Sequence, residues 1–172
     1  MKGMRCLGWT GLAALALPLA DPAQAQPKFP KSGKFSVHYG WKQASEVRDL
    51  GNGVLIVVGE DHGALFNDAG SGFIHNSAVT CPQTGYVGAS GFVFRGNCYI
   101  TDADGDMILL VWECGGPAKG PGPQEGRCAG TEWLFGGTGK YSGITGTAEF
   151  HGGYIGKGPH GFGIWKGEYR IP

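Results

Sequence analysis

Residues 136–150 (GGTGKYSGITGTAEF) narrow the folds open to this chain more than any other stretch. Residues 131–135 (TEWLF) before it and 147–150 (TAEF) within it are short and rich in residues that favour strands. Glycines stand at 136, 137, 139, 143 and 146. Glycine takes positive φ at little cost, so this spacing suits a tight connection in which strand, single helical turn and next strand crowd together. Tyr141 and Ile144 are the large apolar groups of the loop, and they are placed to plug one end of a barrel or sandwich.

The same residues carry a likeness. GGTG, then Lys140, the aromatic Tyr141 and small residues up to Gly146, resembles the hairpin of the allene oxide cyclase and dirigent-type barrels. The resemblance covers residues 136–150 and the glycine-rich, aromatic last strand. It implies a calycin-type barrel that holds a hydrophobic or phenolic molecule inside, with cyclisation or radical coupling steered by shape, and often a trimer. None of that family's functional residues can be matched here, so no catalytic residue is carried over. The length and the paired cysteines also look like small exported bacterial proteins.

Residues 1–25 read as a signal peptide. Lys2 and Arg5 form a positive n-region, residues 7–20 an apolar core, and Ala23, Gln24 and Ala25 an A-x-A cleavage site. The apolar run is short for a membrane span, and no second one follows. Residues 26–172 are then one domain, periplasmic or secreted. Losing Lys2, Arg5 and Asp21 with the leader keeps the charge near neutral. That balance, with no basic run, argues against nucleic acid as a partner, and no basic amphipathic helix points to a membrane surface.

Four cysteines remain: Cys81, Cys98, Cys114 and Cys128. An even count in an oxidising compartment reads as two disulfides. Three pairings are possible; Cys81–Cys98 with Cys114–Cys128 is favoured because it clips neighbouring strands. The second bridge also closes residues 115–127 (GGPAKGPGPQEGR), whose prolines and glycines disfavour regular structure. Closing a loop of about 15 residues is worth roughly 3 kcal/mol. Zinc is the rival reading, weakened by the absence of any C-x-x-C pair.

Strand patterns fall at residues 34–42, 53–59, 64–67, 72–81, 91–101, 107–114, 131–136, 146–152 and 161–171, with a turn at 61–63. The near-continuous apolar run 53–59 predicts a strand covered on both faces. The expectation is all-β: a single antiparallel eight-stranded barrel stapled by two disulfides, with a two-sheet sandwich as the alternative. In residues 107–114, Met107, Leu109 and Val111 share one face and Ile108, Leu110 and Trp112 the other. An apolar outer face calls for a cover, by self-association into a homo-oligomer or by a loop.

Three groups of residues could carry chemistry. Asp102, Asp104 and Asp106 alternate as at the start of a calcium loop, but the following apolar run and the turn-forming Asp and Gly favour a plain turn without metal. Glu60, His62 and His75 are the candidates for acid–base catalysis, since histidine beside a carboxylate exchanges protons near neutral pH. His38 is a further candidate, on the face opposite Tyr39. The competing account is a polar turn and a half-exposed strand histidine.

Trp41, Trp112, Trp133, Trp165 and Tyr169 are the ligand-binding candidates. In the last strand Gly163, Trp165, Gly167 and Tyr169 share a face, and glycine between rings suits either a lined cavity or core packing around a bend. No hydrolase, kinase or metalloprotease motif occurs. The function expected is therefore an exported barrel that binds a small apolar or aromatic molecule without a cofactor. A cofactor-free isomerase or cyclase of the allene oxide cyclase type, and a non-catalytic structural or interaction protein, are the alternatives.

Overall fold

The computed structural model describes residues 30–117, 128–156 and 158–172. The signal peptide expected at residues 1–25 and most of the proline–glycine loop, residues 118–127, lie outside them. Eight strands follow one another: β1 (Ser32–Asp49), β2 (Leu55–Asn67), β3 (Ser77–Gly88), β4 (Gly91–Thr101), β5 (Met107–Pro117), β6 (Cys128–Gly137), β7 (Thr145–Tyr154) and β8 (His160–Arg170). Each pairs antiparallel with the next, and β8 returns to β1, so the sheet closes into one barrel. Closure leaves no second sheet for a sandwich. Cys81–Cys98 ties β3 to β4, and Cys114–Cys128 ties β5 to β6.

Period-2 alternation sets the inside. On β1, Phe35, Val37, Tyr39 and Trp41 are buried, and on β8 Trp165 and Tyr169 are. The β1–β8 register places Tyr39 opposite Gly163, Trp41 opposite Gly161 and Val37 opposite Trp165. Large side chains on one strand thus face glycine or a smaller group on the other. A Cβ on Gly163 would lie 1.8 Å from Tyr39 Cε1, and one on Gly161 2.0 Å from Trp41 Cζ2. The gaps between the β8 rings are therefore filled by β1 rings. Core packing, not open space, explains most of these glycines.

One end of the barrel is sealed. Gly139–Tyr141 forms a single 3₁₀ turn between β6 and β7, as its glycines predict, and it seats Tyr141 and Ile144 in the core. Gly139 holds φ +49°, and a Cβ there would strike the Asp106 carboxylate. Phe73 and Ile74, from the β2–β3 connection, enter the same end. The Phe73 ring stacks on Tyr169 at 3.9 Å and meets Phe35 at 5.1 Å.

Three expectations about the strands need correction. Residues 61–63 are not a turn but the middle of β2, in register with Gln43, Lys42 and Trp41 on β1. Gly59 and Gly63 are positions where β1 runs so close that a Cβ would meet backbone oxygens at 2.6 and 2.3 Å. Residues 72–76 are not strand: they form the loop that delivers Phe73, and β3 instead runs through Gln83 to Gly88. The run 53–59 is covered on one face only, since Val57 is buried while Val54 and Val58 are exposed. On β5 the two faces divide as the alternation predicts, with Ile108, Leu110 and Trp112 inside.

Candidate binding cavity

The half of the barrel away from the plug contains a cavity of about 50 Å³. Its walls include Tyr39, Trp41, Trp112, Phe150, Tyr154 and Trp165, together with both disulfides. Rings meet edge to face or tilted: Trp41 on Tyr154 at 5.0 Å, Tyr39 on Trp165 at 4.9 Å, Trp112 on Phe150 at 6.2 Å. Among these apolar groups stand four polar side chains: Gln43, Asp61, Gln83 and Glu132. Asp61, Gln83 and Glu132 are buried, and half-buried Gln43 and Tyr154 stand at the outer edge, where the Tyr154 hydroxyl donates to Gln43 Oε1 at 2.5 Å.

The acids are out of water without a counter-charge. No described Lys, Arg or His forms an ion pair with Asp61 or Glu132. Every described Lys and Arg is exposed except Lys140, which is half-buried beyond the far end. Burial pushes the Asp61 carboxyl up to about 7, against the pull of the neighbouring Gln43 and Gln83 amides. Glu132 is raised well above the carboxylate range by burial. Burial first, then Glu132 and Asp61, raise the Tyr39 hydroxyl, and burial and Asp61 push Tyr154 up to about 12. Asp61 Oδ1, Gln83 Nε2, Trp41 Nε1 and Trp112 Nε1 make no hydrogen bond of standard geometry among the described residues. Unpaired buried polar atoms are costly, which marks the cavity as a place for a guest, water included.

The structure divides the residues expected at a site. Trp41, Trp112 and Trp165 line the cavity. Trp133 does not: it is 45% exposed on the outer face, because Glu132 and Leu134 take the inward positions of β6. Tyr169 belongs to the sealed end, where it stacks on Phe73 and its hydroxyl donates to the Pro30 carbonyl at 2.8 Å. Glu60 and His62 pair at 2.6 Å on the outer face of β2. His75 sits in the β2–β3 loop, where Nδ1 accepts the Asn67 N–H at 3.1 Å. None of these three lines the cavity. His38 points outward, paired with Asp68, while Tyr39 points in.

Asp102, Asp104 and Asp106 form a braced turn. Asp102 Oδ1 accepts the amides of Asp104 and Asp106, and Lys140 Nζ lies 2.6 Å from Asp102 and 2.5 Å from Asp104. Asp106 accepts the Lys140 amide. The ammonium of Lys140 thus stands among the carboxylates where a calcium ion would compete for them, and among the described residues no His, Cys, Asp or Glu cluster is arranged to hold a metal.

Closed topology, an apolar interior and eight antiparallel strands in sequence order define the class: an antiparallel barrel compatible with a calycin-like fold. No family model, curated protein or solved structure matches the chain, so what is shown is the calycin-like barrel and no relation to allene oxide cyclases or dirigent proteins.

Proposed function

We propose that this chain is an exported small-molecule-binding barrel whose guest, with a small apolar or aromatic body, sits among Trp41, Trp112, Tyr154 and Trp165. The observation that carries the reading is a cavity in the half of the barrel away from the plug, walled by rings yet holding polar atoms without hydrogen bonds of standard geometry. A water needs about 10–15 Å³ of such space, so the guest has only a few non-hydrogen atoms unless side chains move. Two buried disulfides fit an oxidising compartment, and the leader-like residues 1–25 support export to the periplasm or beyond. No described helix is long and apolar enough to cross a membrane. The apolar-in alternation is also the reverse of a transmembrane barrel's, which supports a protein without a membrane partner.

Tryptophan fluorescence tests the reading. A panel of compounds from propanol to phenol and indole is expected to give saturable changes that survive Trp133→Phe and shrink in Trp112→Phe. No saturable change across the panel would overturn it. A second reading draws on Asp61 itself. A carboxyl that titrates near neutrality beside an apolar wall suits proton transfer, so a cofactor-free isomerase would use Asp61, with Tyr154, in place of Glu60, His62 and His75.

A homo-oligomer would be built on the outer face of β4–β6. Tyr99 is directly opposite Leu109 and Val111 opposite Trp133; with Phe135 these exposed groups make a continuous apolar strip.

A further inference from the structure

We infer that the guest of this cavity is a small organic cation, an alkylammonium whose charge seats on Asp61 and whose carbons lie against Trp41, Tyr154 and Trp112. The inference rests on the binding reading above and adds the charge. Its basis is an imbalance. The barrel interior holds two buried carboxyl groups, Asp61 and Glu132, and among the described residues no cation faces them.

Asp61 is fixed in that position by its strand. β2 places it inward between Gln43 of β1 and Cys81 of β3; its Oδ1 makes no hydrogen bond of standard geometry, and its polar neighbours there, the Gln43 and Gln83 amides, carry no charge. An amide or a hydroxyl at this position would satisfy a neutral guest without the cost of desolvating a carboxylate. A carboxylate repays that cost only against a positive charge. The walls agree: indole and phenol rings present faces that attract ammonium groups, more strongly where water is excluded. The Trp41 and Trp112 indole N–H groups are left for cavity waters or for an oxygen on the guest.

The groups around Asp61 keep its titration simple. Gln43 on β1 and Gln83 on β3 do not ionise, Cys81 is in a disulfide, and burial holds Tyr39 and Tyr154 neutral in the relevant range. Burial raises Glu132, the other acid of the cavity, in the same direction. At Asp61 an ammonium therefore competes with a proton. Its affinity is expected to fall about tenfold per pH unit once the medium is more acid than the Asp61 midpoint, and by roughly 100-fold between pH 8 and pH 5.

The test uses shape-matched pairs: propylammonium against 1-propanol, and tetramethylammonium against tert-butyl alcohol. Binding to the full barrel is followed by calorimetry and by the indole N–H resonances of Trp41 and Trp112. The expected result is saturable binding of at least one cation, its alcohol at least tenfold weaker, and loss of that preference in Asp61→Asn. Alcohols binding as tightly as cations, or an Asp61→Asn barrel that keeps the preference, overturn the charge assignment and leave the binding barrel standing. Failure of every compound in both series removes both. If Asp61→Asn does not fold, the wild-type pH profile decides: a flat profile between pH 5 and 8 overturns the inference.

Discussion

Replacing Gly163 by alanine tests whether the interior is packed as described. An ideal Cβ at this position lies 1.8 Å from Cε1 and 2.6 Å from Cδ1 of Tyr39. Carbon atoms pack at about 3.5 Å or more, so the ring must retreat by nearly 2 Å. Behind it stand Trp165, at 4.9 Å between ring centres, and Phe150, at 6.3 Å. Overpacking of a filled core costs about 1–3 kcal/mol, and the short approach places Gly163→Ala at the upper end. For a domain of this size that lowers Tm by roughly 6–12 °C. Gly40 is the control, because a Cβ there meets nothing within 4 Å. Gly40→Ala is expected to be neutral or stabilising by about 0.5 kcal/mol. Equilibrium urea unfolding with the disulfides intact reads both. In a Tyr39→Ala background the Gly163→Ala penalty is expected to drop below about 1 kcal/mol, since the clash has lost its partner. A Gly163→Ala protein within about 0.5 kcal/mol of wild type would refute the ring-over-glycine packing and leave the barrel hollower than described.

Three further outcomes follow from the same geometry. The Asp61 carboxyl holds its proton to about pH 7 when folded against 3.8 when exposed, so the folded state binds the extra proton between those values. Stability then falls as pH rises through that window, by as much as about 4 kcal/mol, and Asp61→Asn is expected to exceed wild type at pH 8 and match it at pH 4; a variant weaker than wild type at pH 8 would contradict this. Removing the Cys114–Cys128 bridge by Cys114→Ala with Cys128→Ala is expected to cost about 3 kcal/mol in urea unfolding, because the bridge closes the loop between β5 and β6. Light scattering is expected to find an oligomer that dissociates in Trp133→Glu with Phe135→Glu; a wild-type monomer would dismiss the outer-face assembly.

Much of the fold was legible because alternation and glycine speak directly to strands. Tyr141 and Ile144 stood out as the only large apolar groups among five glycines, and both are buried at the sealed end. The disulfide pairs were legible because each joins the two strands on either side of one connection. The site was less so. Glu60, Asp61 and His62 between two glycines looked like a turn, and the histidine drew attention as the chemical group. Yet the alternation Val57, Gly59, Asp61, Gly63, Leu65 runs unbroken through it and puts Asp61, not His62, inside. Trp133 was grouped with the other tryptophans as a ligand-binding candidate; parity with Glu132 and Leu134 turns it outward. A buried Glu132 or Gln83 carries no local signal, because polar residues inside a strand mark an interior only after the barrel has closed.

The claim on which the rest depends is that Asp61 faces a cavity and not water. A ¹³C-detected titration of its side-chain carboxyl in the guest-free barrel measures this directly. A midpoint near 7 is expected, with little response from Asp61 below pH 5. A midpoint near the ordinary carboxylate value of about 4 would place the group in solvent and contradict the account.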